Sequence, residues 1–487
     1  MKYISLIIVI FIWGISLRVP ELISGNFLFG HDHGRDYLAA YNIVENHKLT
    51  LIGAEAGSGV AGINGIFHGP GYFYLISLAY LLFHGNPIGG QIFMVVFGIL
   101  ALLTACYIGF KIFGKAGSAI ALFFVAASPL IVSQSRFIWS SHPITPFVLL
   151  ALYFVYKIPQ NPAKFAPLAL FMSGFTYHSQ LGVAVPLTIS VLLSIPLIYK
   201  IRDVRVYIYC VLALVLAYFP MFLFEARHGF MAVGGGGSMF EAKRLYFHGL
   251  DYWYNFTNSF TFEFGWISNQ VQKIFLLFFL PFVPIGLFQI RESKHRKFIA
   301  FLIFMIITTW AGYLLLNNTV WDYYLTHLRL AYILLFTYAI VAFIHKKSLG
   351  LIVSIVFLSV MFVGSVFRMH ITYTSDLHDT GKFEKIQGKR YVLDAIYKDA
   401  DEQPFSVFIF TPSIYTWPYD YLFITYGKQT YGYEPGSEKK GLAYLIIEPD
   451  FSQPWRHKGW LETVVQGGRL VWEKTMLNGL ILIKKEF

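Results

Sequence analysis

Asp32 and Asp36 stand four residues apart in HDHGRDYLAAY (31–41), with Arg35 just before the second. On a helix, that spacing puts both carboxylates on one face. Two nearby carboxylates repel when both are ionised, which raises the proton affinity of one and prepares it as a general base. The competing reading is an acidic N-cap at a helix start, which the same residues would satisfy. His31, Asp32, His33 and Asp36 are also competent metal ligands, so a divalent ion is a candidate cofactor. No second Cys or His cluster at a diagnostic spacing completes such a site.

The same early stretch also holds His68 and Tyr72, in HGPGYFY (68–74). Three later segments add ionisable groups. QSRFIWSSH (134–142) carries Arg136 and His142, and FEARHGF (224–230) carries Arg227 and His228. NNTVWDYYLTHLRL (317–330) carries Asp322, Tyr323, Tyr324, His327 and Arg329. Glycines 234–237 could let backbone approach a ligand closely or could serve as a linker. An Arg at a helix end is commonly a headgroup anchor. If these segments share one membrane face, their cations and phenols suit the phosphate of a lipid whose tail lies in the bilayer.

The elements that must position these groups are helices in lipid. Of the 487 residues, 56% are hydrophobic and 13% charged, more apolar surface than one soluble core could hide. Apolar runs long enough for a ~30 Å hydrocarbon core lie near 3–20, 90–110, 117–134, 181–199, 206–224, 273–290, 298–316, 327–344 and 349–367. Residues 143–157 and 165–178 are shorter, with prolines at their edges, and are read as spans too. The run 69–83 begins with Gly-Pro-Gly and suits a helix lying in the interface or re-entering. Leaving it uncrossed puts fourteen basic residues, from Lys2 to Lys347, on the cytoplasmic side against only Asp203 and Glu292. The expectation is therefore a polytopic α-helical protein of the plasma membrane with about eleven spans. Its N-terminus would be cytoplasmic and the first outer loop would cover 26–89. The net charge of +11 sits wholly in residues 1–367, since 368–487 balance 15 Lys and Arg against 15 Asp and Glu. The charge thus serves topology and anionic lipid, and nucleic acid is not needed as a partner.

Two units follow: a transmembrane part, 1–367, and a small extracytoplasmic α/β domain, 368–487. In the second, SVFIF (406–410), LAYLIIE (442–448), RLVWE (469–473) and LILIK (480–484) read as strands, with a turn at Asn478-Gly479. Residues 389–400 read as an amphipathic helix. YTWPYDYLFITYG (415–427) is rich in aromatics, which pack or bind a sugar. Cys106 and Cys210 lie in apolar runs and imply no disulfide.

HDHGRD (31–36), HGPGYFY (68–74), SRFIW (135–139) and FEARHGF (224–230), in this order behind a single first span, resemble the GT-C glycosyltransferases. The likeness is greatest to the branch of protein O-mannosyltransferases and aminoarabinose transferases of lipid A. The resemblance implies an inverting sugar transfer from a polyprenyl-phosphate-linked donor to an acceptor hydroxyl on a protein, glycolipid or polysaccharide at the outer membrane face. It gives Asp32 the role of catalytic base and His68 a contact to the donor phosphate, with Arg227, His228, Tyr324 and Arg329 as further phosphate candidates. Asp36 shares the acidic motif. Arg35, His33, Arg136, His142, Tyr72, Tyr323 and His327 complete the candidate pocket. The loop 134–142 lacks the second acid that many relatives carry there, which puts metal dependence in doubt and leaves His142 in its place. A transporter would keep ionisable residues within spans and in repeated halves. A non-catalytic lipid-handling protein would not require Asp32.

Overall fold

A computed structural model describes residues 2–56, 65–231, 274, 277–315, 320–346 and 349–487. Over the described residues, every apolar run named above is mainly helical. α1 (Lys2–Ser16) and the short α2 (Pro20–Ser24) lead to α3 (His31–Val44), which carries both aspartates. α4 (Gly71–Leu82) follows. Its 12 residues reach only about 18 Å, short of a bilayer core. α5 (Ile88–Ala127) is two helices joined at Gly114, whose φ of 76° and ψ of −162° break the ladder between the two expected runs. α6 (Thr145–Lys157), α7 (Pro162–Phe175) and α8 (Leu181–Leu197) continue the bundle. α9 (Val204–Ala217) and α10 (Phe219–Arg227) meet at a 67° bend beside Pro220. α11 (Ser293–Leu315), α12 (Thr326–Lys346) and α13 (Leu349–Ile371) complete it.

Among the described residues, four helices are long and apolar enough to cross a membrane: Ile88–Ala127, Ser293–Tyr313, Asp322–Lys346 and Leu349–Asp376. The bent pair α9 and α10 makes up to five. The other apolar helices, of 10–17 residues, are shorter than one perpendicular crossing. α12 is the hub, buried on nearly all sides against α5, α8 and α11, which explains why its apolar residues run all round rather than along one stripe.

The C-terminal part contains α14 (Ile386–Ala400) and a four-stranded sheet in the order β1-β2-β4-β3. β1 (Phe405–Phe410) and β2 (Leu442–Ile447) are parallel; β3 (Arg469–Thr475) and β4 (Ile481–Glu486) form an antiparallel hairpin. Gly479, at φ 87°, turns that hairpin. All four expected strands, the helix and the turn occur, with ends moved by three residues or fewer. Between β1 and β2, α15 (Trp417–Leu422) lies on α3. Lys389 and Glu448 form a buried ion pair at 2.6 Å, and Tyr419 donates to the same carboxylate oxygen at 2.8 Å, tying α14 to the end of β2.

The sheet domain is seated on the acidic helix. Phe27, Phe29, Tyr37, Tyr72 and Ile76 share one core with Ile386, Tyr419, Tyr421 and Leu482. The backbone is stitched as well: Phe29 N–H donates to Glu384 C=O and Ile386 N–H to Phe27 C=O, both at 3.0 Å. Tyr421 donates its hydroxyl to the Gly85 carbonyl.

Candidate active site

α3 starts where the sequence lets it. Gly30, in extended conformation, is the N-cap, and the Nδ1 of His33 accepts its N–H at 2.8 Å. Asp32 is therefore not the cap, which frees its carboxylate. Arg35 clamps both acids: Nη1 donates to Asp32 Oδ1 at 2.7 Å, while Nε and Nη2 donate to Asp36 Oδ1 at 2.9 and 2.7 Å. The acids differ in access. Asp32 keeps 27% of its side chain exposed, whereas Asp36 keeps 1%. Burial pushes the Asp36 carboxyl up to about 6 against the pull of Arg35, and repulsion from Asp32 adds to that push only after these two effects. The perturbation expected of mutual repulsion thus arises chiefly from desolvation. Burial pulls the Arg35 guanidinium down, but the two carboxylates outweigh it and hold the group above its ordinary value.

Gly34 is fixed by packing. A Cβ there would stand 2.3 Å from the Pro418 nitrogen and 2.5 Å from the Trp417 carbonyl carbon, so the helix touches α15 backbone to backbone. Tyr415, stacked on Trp417 at 4.1 Å, lies over His31 at 6.3 Å. The aromatic segment of the C-terminal domain thus both packs on the acidic helix and borders its exposed end.

His68 is brought beside the acids by a reciprocal pair of caps. Its Nδ1 accepts the Leu181 N–H at the start of α8 at 3.1 Å, and His178 Nδ1 accepts the Gly71 N–H at the start of α4 at 3.1 Å. Gly69 N–H donates to the Tyr177 carbonyl, also at 3.1 Å. Side chains at positions 69 or 71 would strike the His178 ring, so the glycines of HGPG are required by this crossing. Burial, then the nearby Arg35, lowers His68 to about 4. His68 is accordingly a neutral donor through Nε2 rather than a cation. His178 went unnoticed in the sequence. A histidine two residues before the Gln-Leu start of an apolar helix was the available signal.

Tyr72, on α4, is buried, and its hydroxyl has no hydrogen-bond partner among the described residues; the same holds for Asp36 Oδ2 and His33 Nε2. Burial raises the Tyr72 phenol well above its ordinary value, and Asp36 is the next cause. Tyr323 feels the charge of Asp32 and stacks edge-on against Trp139 at 4.5 Å. Asp32, Arg35, Asp36, His68, Tyr72 and Tyr323 thus form one electrostatic neighbourhood.

The remaining candidates sit around or away from it. His142 is buried, donates Nδ1–H to the Phe137 carbonyl at 2.7 Å, and is lowered by burial to about 3, with His33 close by. A neutral buried imidazole does not replace a carboxylate's charge. Tyr324 packs on Gly182 at the start of α8. Arg329 is buried in the first turn of α12 and donates to the Asp322 carbonyl at 2.6 Å; His327 meets Thr309 at 3.0 Å. Arg136 is paired with Glu21 at 2.7 Å and bridges α2 to the end of α13, near Asp376. Arg227 and His228 are exposed at the end of α10, and glycines 234–237 lie outside the described residues. His31, Asp32, His33 and Asp36 do not gather as a metal set: His33 turns to Gly30 and Asp36 to Arg35. Among the described residues, no three His, Cys, Asp or Glu side chains come together to hold an ion.

Residues 67–224 match the family described as dolichyl-phosphate-mannose-protein mannosyltransferase. The whole chain shares the fold of ArnT from Cupriavidus metallidurans. The crystal structure of that protein bound to undecaprenyl phosphate superposes with a TM-score of 0.59 at 11% identity, over 99% of this chain and 97% of that one. Its apo state gives 0.58 at 10% identity, over the same shares. No curated protein sequence matches the chain. A stretch of the membrane part thus matches a mannosyltransferase family, and the chain as a whole has the fold of ArnT.

Proposed function

We propose that the chain transfers a sugar from a polyprenyl-phosphate-linked donor to an acceptor hydroxyl, with Asp32 as general base. The observation that carries this reading is the unequal pair on α3: one carboxylate open to solvent, the other enclosed, both held by Arg35. A base must reach its substrate, and of the two only Asp32 is accessible. Asp32 removes the proton of the acceptor hydroxyl as that oxygen attacks the anomeric carbon. The bond from that carbon to the phosphate oxygen breaks, and the lipid phosphate leaves with the electron pair on the opposite face, inverting the configuration. Negative charge then grows on the phosphate, where fixed donors lower the barrier most. Nε2–H of His68 and the Tyr323 hydroxyl are suited to that work. Asp36 holds Arg35 in register. The bound lipid named for ArnT supports the class of donor.

In the same reading, the chain is a multi-pass protein of the plasma membrane with its N-terminus inside and about eleven spans, several of them tilted or bent. Residues 1–367 carry the reaction and 368–487 cover it from the outer face, where the acceptor is a protein, a glycolipid or a polysaccharide.

The test is a donor panel. Membranes containing the protein are given polyprenyl phosphates bearing different labelled sugars, and release of free polyprenyl phosphate is followed together with transfer of the label. One donor should be consumed in a protein-dependent manner, with the label appearing in acceptor. Consumption of none of them, or label lost only to water-soluble free sugar, would contradict the reading.

A further inference from the structure

A cavity lies far from the acids. It has a volume of about 270 Å³ and is lined by Phe113, Gln289, His295, Tyr338, His345 and Lys346, among others. Its distance follows from the helices. Gly90, in the first turn of α5, donates to the Tyr37 hydroxyl of the acidic helix at 2.8 Å, while Phe113 stands 23 residues further along, about 35 Å away. α12 begins next to Tyr323 and ends at Lys346, about 30 Å on. The cavity is therefore at the opposite end of the bundle, a bilayer core away from the acids.

Its chemistry is amphipathic. Phe113 stands edge-on to Tyr338 at 4.4 Å, just before the Gly114 break, and Ile112, Ile290, Val341 and Ala342 continue the apolar wall. The polar wall is His295, held between Tyr338 at 2.8 Å and Glu292 at 2.8 Å. Glu292 is also paired with Lys294 at 2.9 Å, so the acid at this rim is already matched. His345 and Lys346 are exposed at the mouth, and the positive N-terminal pole of α11 adds to them. Inside, Gln289 Oε1 is buried, with no hydrogen-bond partner among the described residues. An acceptor enclosed in a cationic cavity is the complement of a ligand that brings both an anion and a hydroxyl donor.

We propose that this cavity binds the headgroup of an anionic glycerophospholipid. The phosphate lies against Lys346 and His345, a headgroup hydroxyl donates to Gln289 Oε1, and the chains leave along Ile112 and Ile290. The site is separate from sugar transfer and would hold the lower ends of α5, α11 and α12 together.

Native mass spectrometry of the full chain, released from bilayers of phosphatidylcholine with a minor share of phosphatidylglycerol, tests this. Wild type should retain phosphatidylglycerol in preference to phosphatidylcholine. K346A should reduce that preference about fivefold, the worth of roughly one cation at a lipid surface, and Q289L, which leaves the charge intact, should reduce it as well. K164A, which removes an exposed lysine that does not line the cavity, should leave it unchanged. Thermal melting confirms that each variant is folded. Equal retention of the two lipids by wild type, or the same loss in K164A as in K346A, would overturn the proposal.

Discussion

At the scale of single residues, the proposed chemistry depends on one guanidinium dividing two carboxylates into different roles. Asp36 titrates at about 6 because it is buried, and only its ionised form gives Arg35 a charge-assisted double contact. Donor turnover should therefore fall as pH drops through about 6, and Asp36→Asn should be slow throughout and lack that acid limb. Initial rates between pH 5 and pH 8 check this; an unchanged limb in the variant would assign it elsewhere. Stability moves the other way. The folded-state pKa lies above the ordinary 3.8, so the folded chain takes up the proton first and ionisation opposes folding. The contribution of Asp36 is most favourable at low pH and is lost as pH rises through about 6. Wild type should gain melting temperature relative to Asp36→Asn as pH falls across that window. The two acids, their shared helix face and Arg35 were legible in the sequence. Their inequality was not, because burial by Tyr72 and the C-terminal domain comes from residues far away in the chain.

At the scale of elements, glycines and reciprocal caps set the site. Gly34→Ala would force α15 away from α3 and should cost about 1–3 kcal/mol, read as a lower melting temperature and faster proteolysis within 368–487. His178→Ala leaves the first turn of α4 without its acceptor, a loss of about 1 kcal/mol for a cap, and should speed hydrogen exchange at the Gly71 amide. Unchanged exchange there would mean that the cap contributes nothing. The strands of the C-terminal sheet were readable because alternation and the Asn-Gly turn are local signals. The 67° bend of α9 and α10 was hidden inside one continuous apolar run. Residues 415–427 showed their aromatic content but not the helix they cover, since a contact between positions 34 and 418 leaves no local pattern.

At the scale of the molecule, charge and length determine orientation. In the proposed topology the basic loops lie on a cytoplasmic side that includes Lys346, and the acidic helix with the sheet domain lies on the other. A cysteine at Tyr415 should react with an impermeant thiol reagent on intact cells, and one at Lys346 only after permeabilisation. Labelling of both from the same side would refute the topology. The apolar helices were visible as runs, but their number of crossings was not. A run of apolar residues fixes burial in something apolar, whereas crossing also depends on tilt, bends and neighbours.

The most direct test of the whole account is Asp32→Asn, with donor binding and donor turnover measured on the same folded preparation. The amide retains size and hydrogen bonding but cannot take the acceptor's proton. Turnover should fall by about 100-fold or more, while the affinity for the polyprenyl-phosphate donor stays near that of wild type. Turnover within a few fold of wild type, with the donor still bound, would show that this carboxylate is not the base.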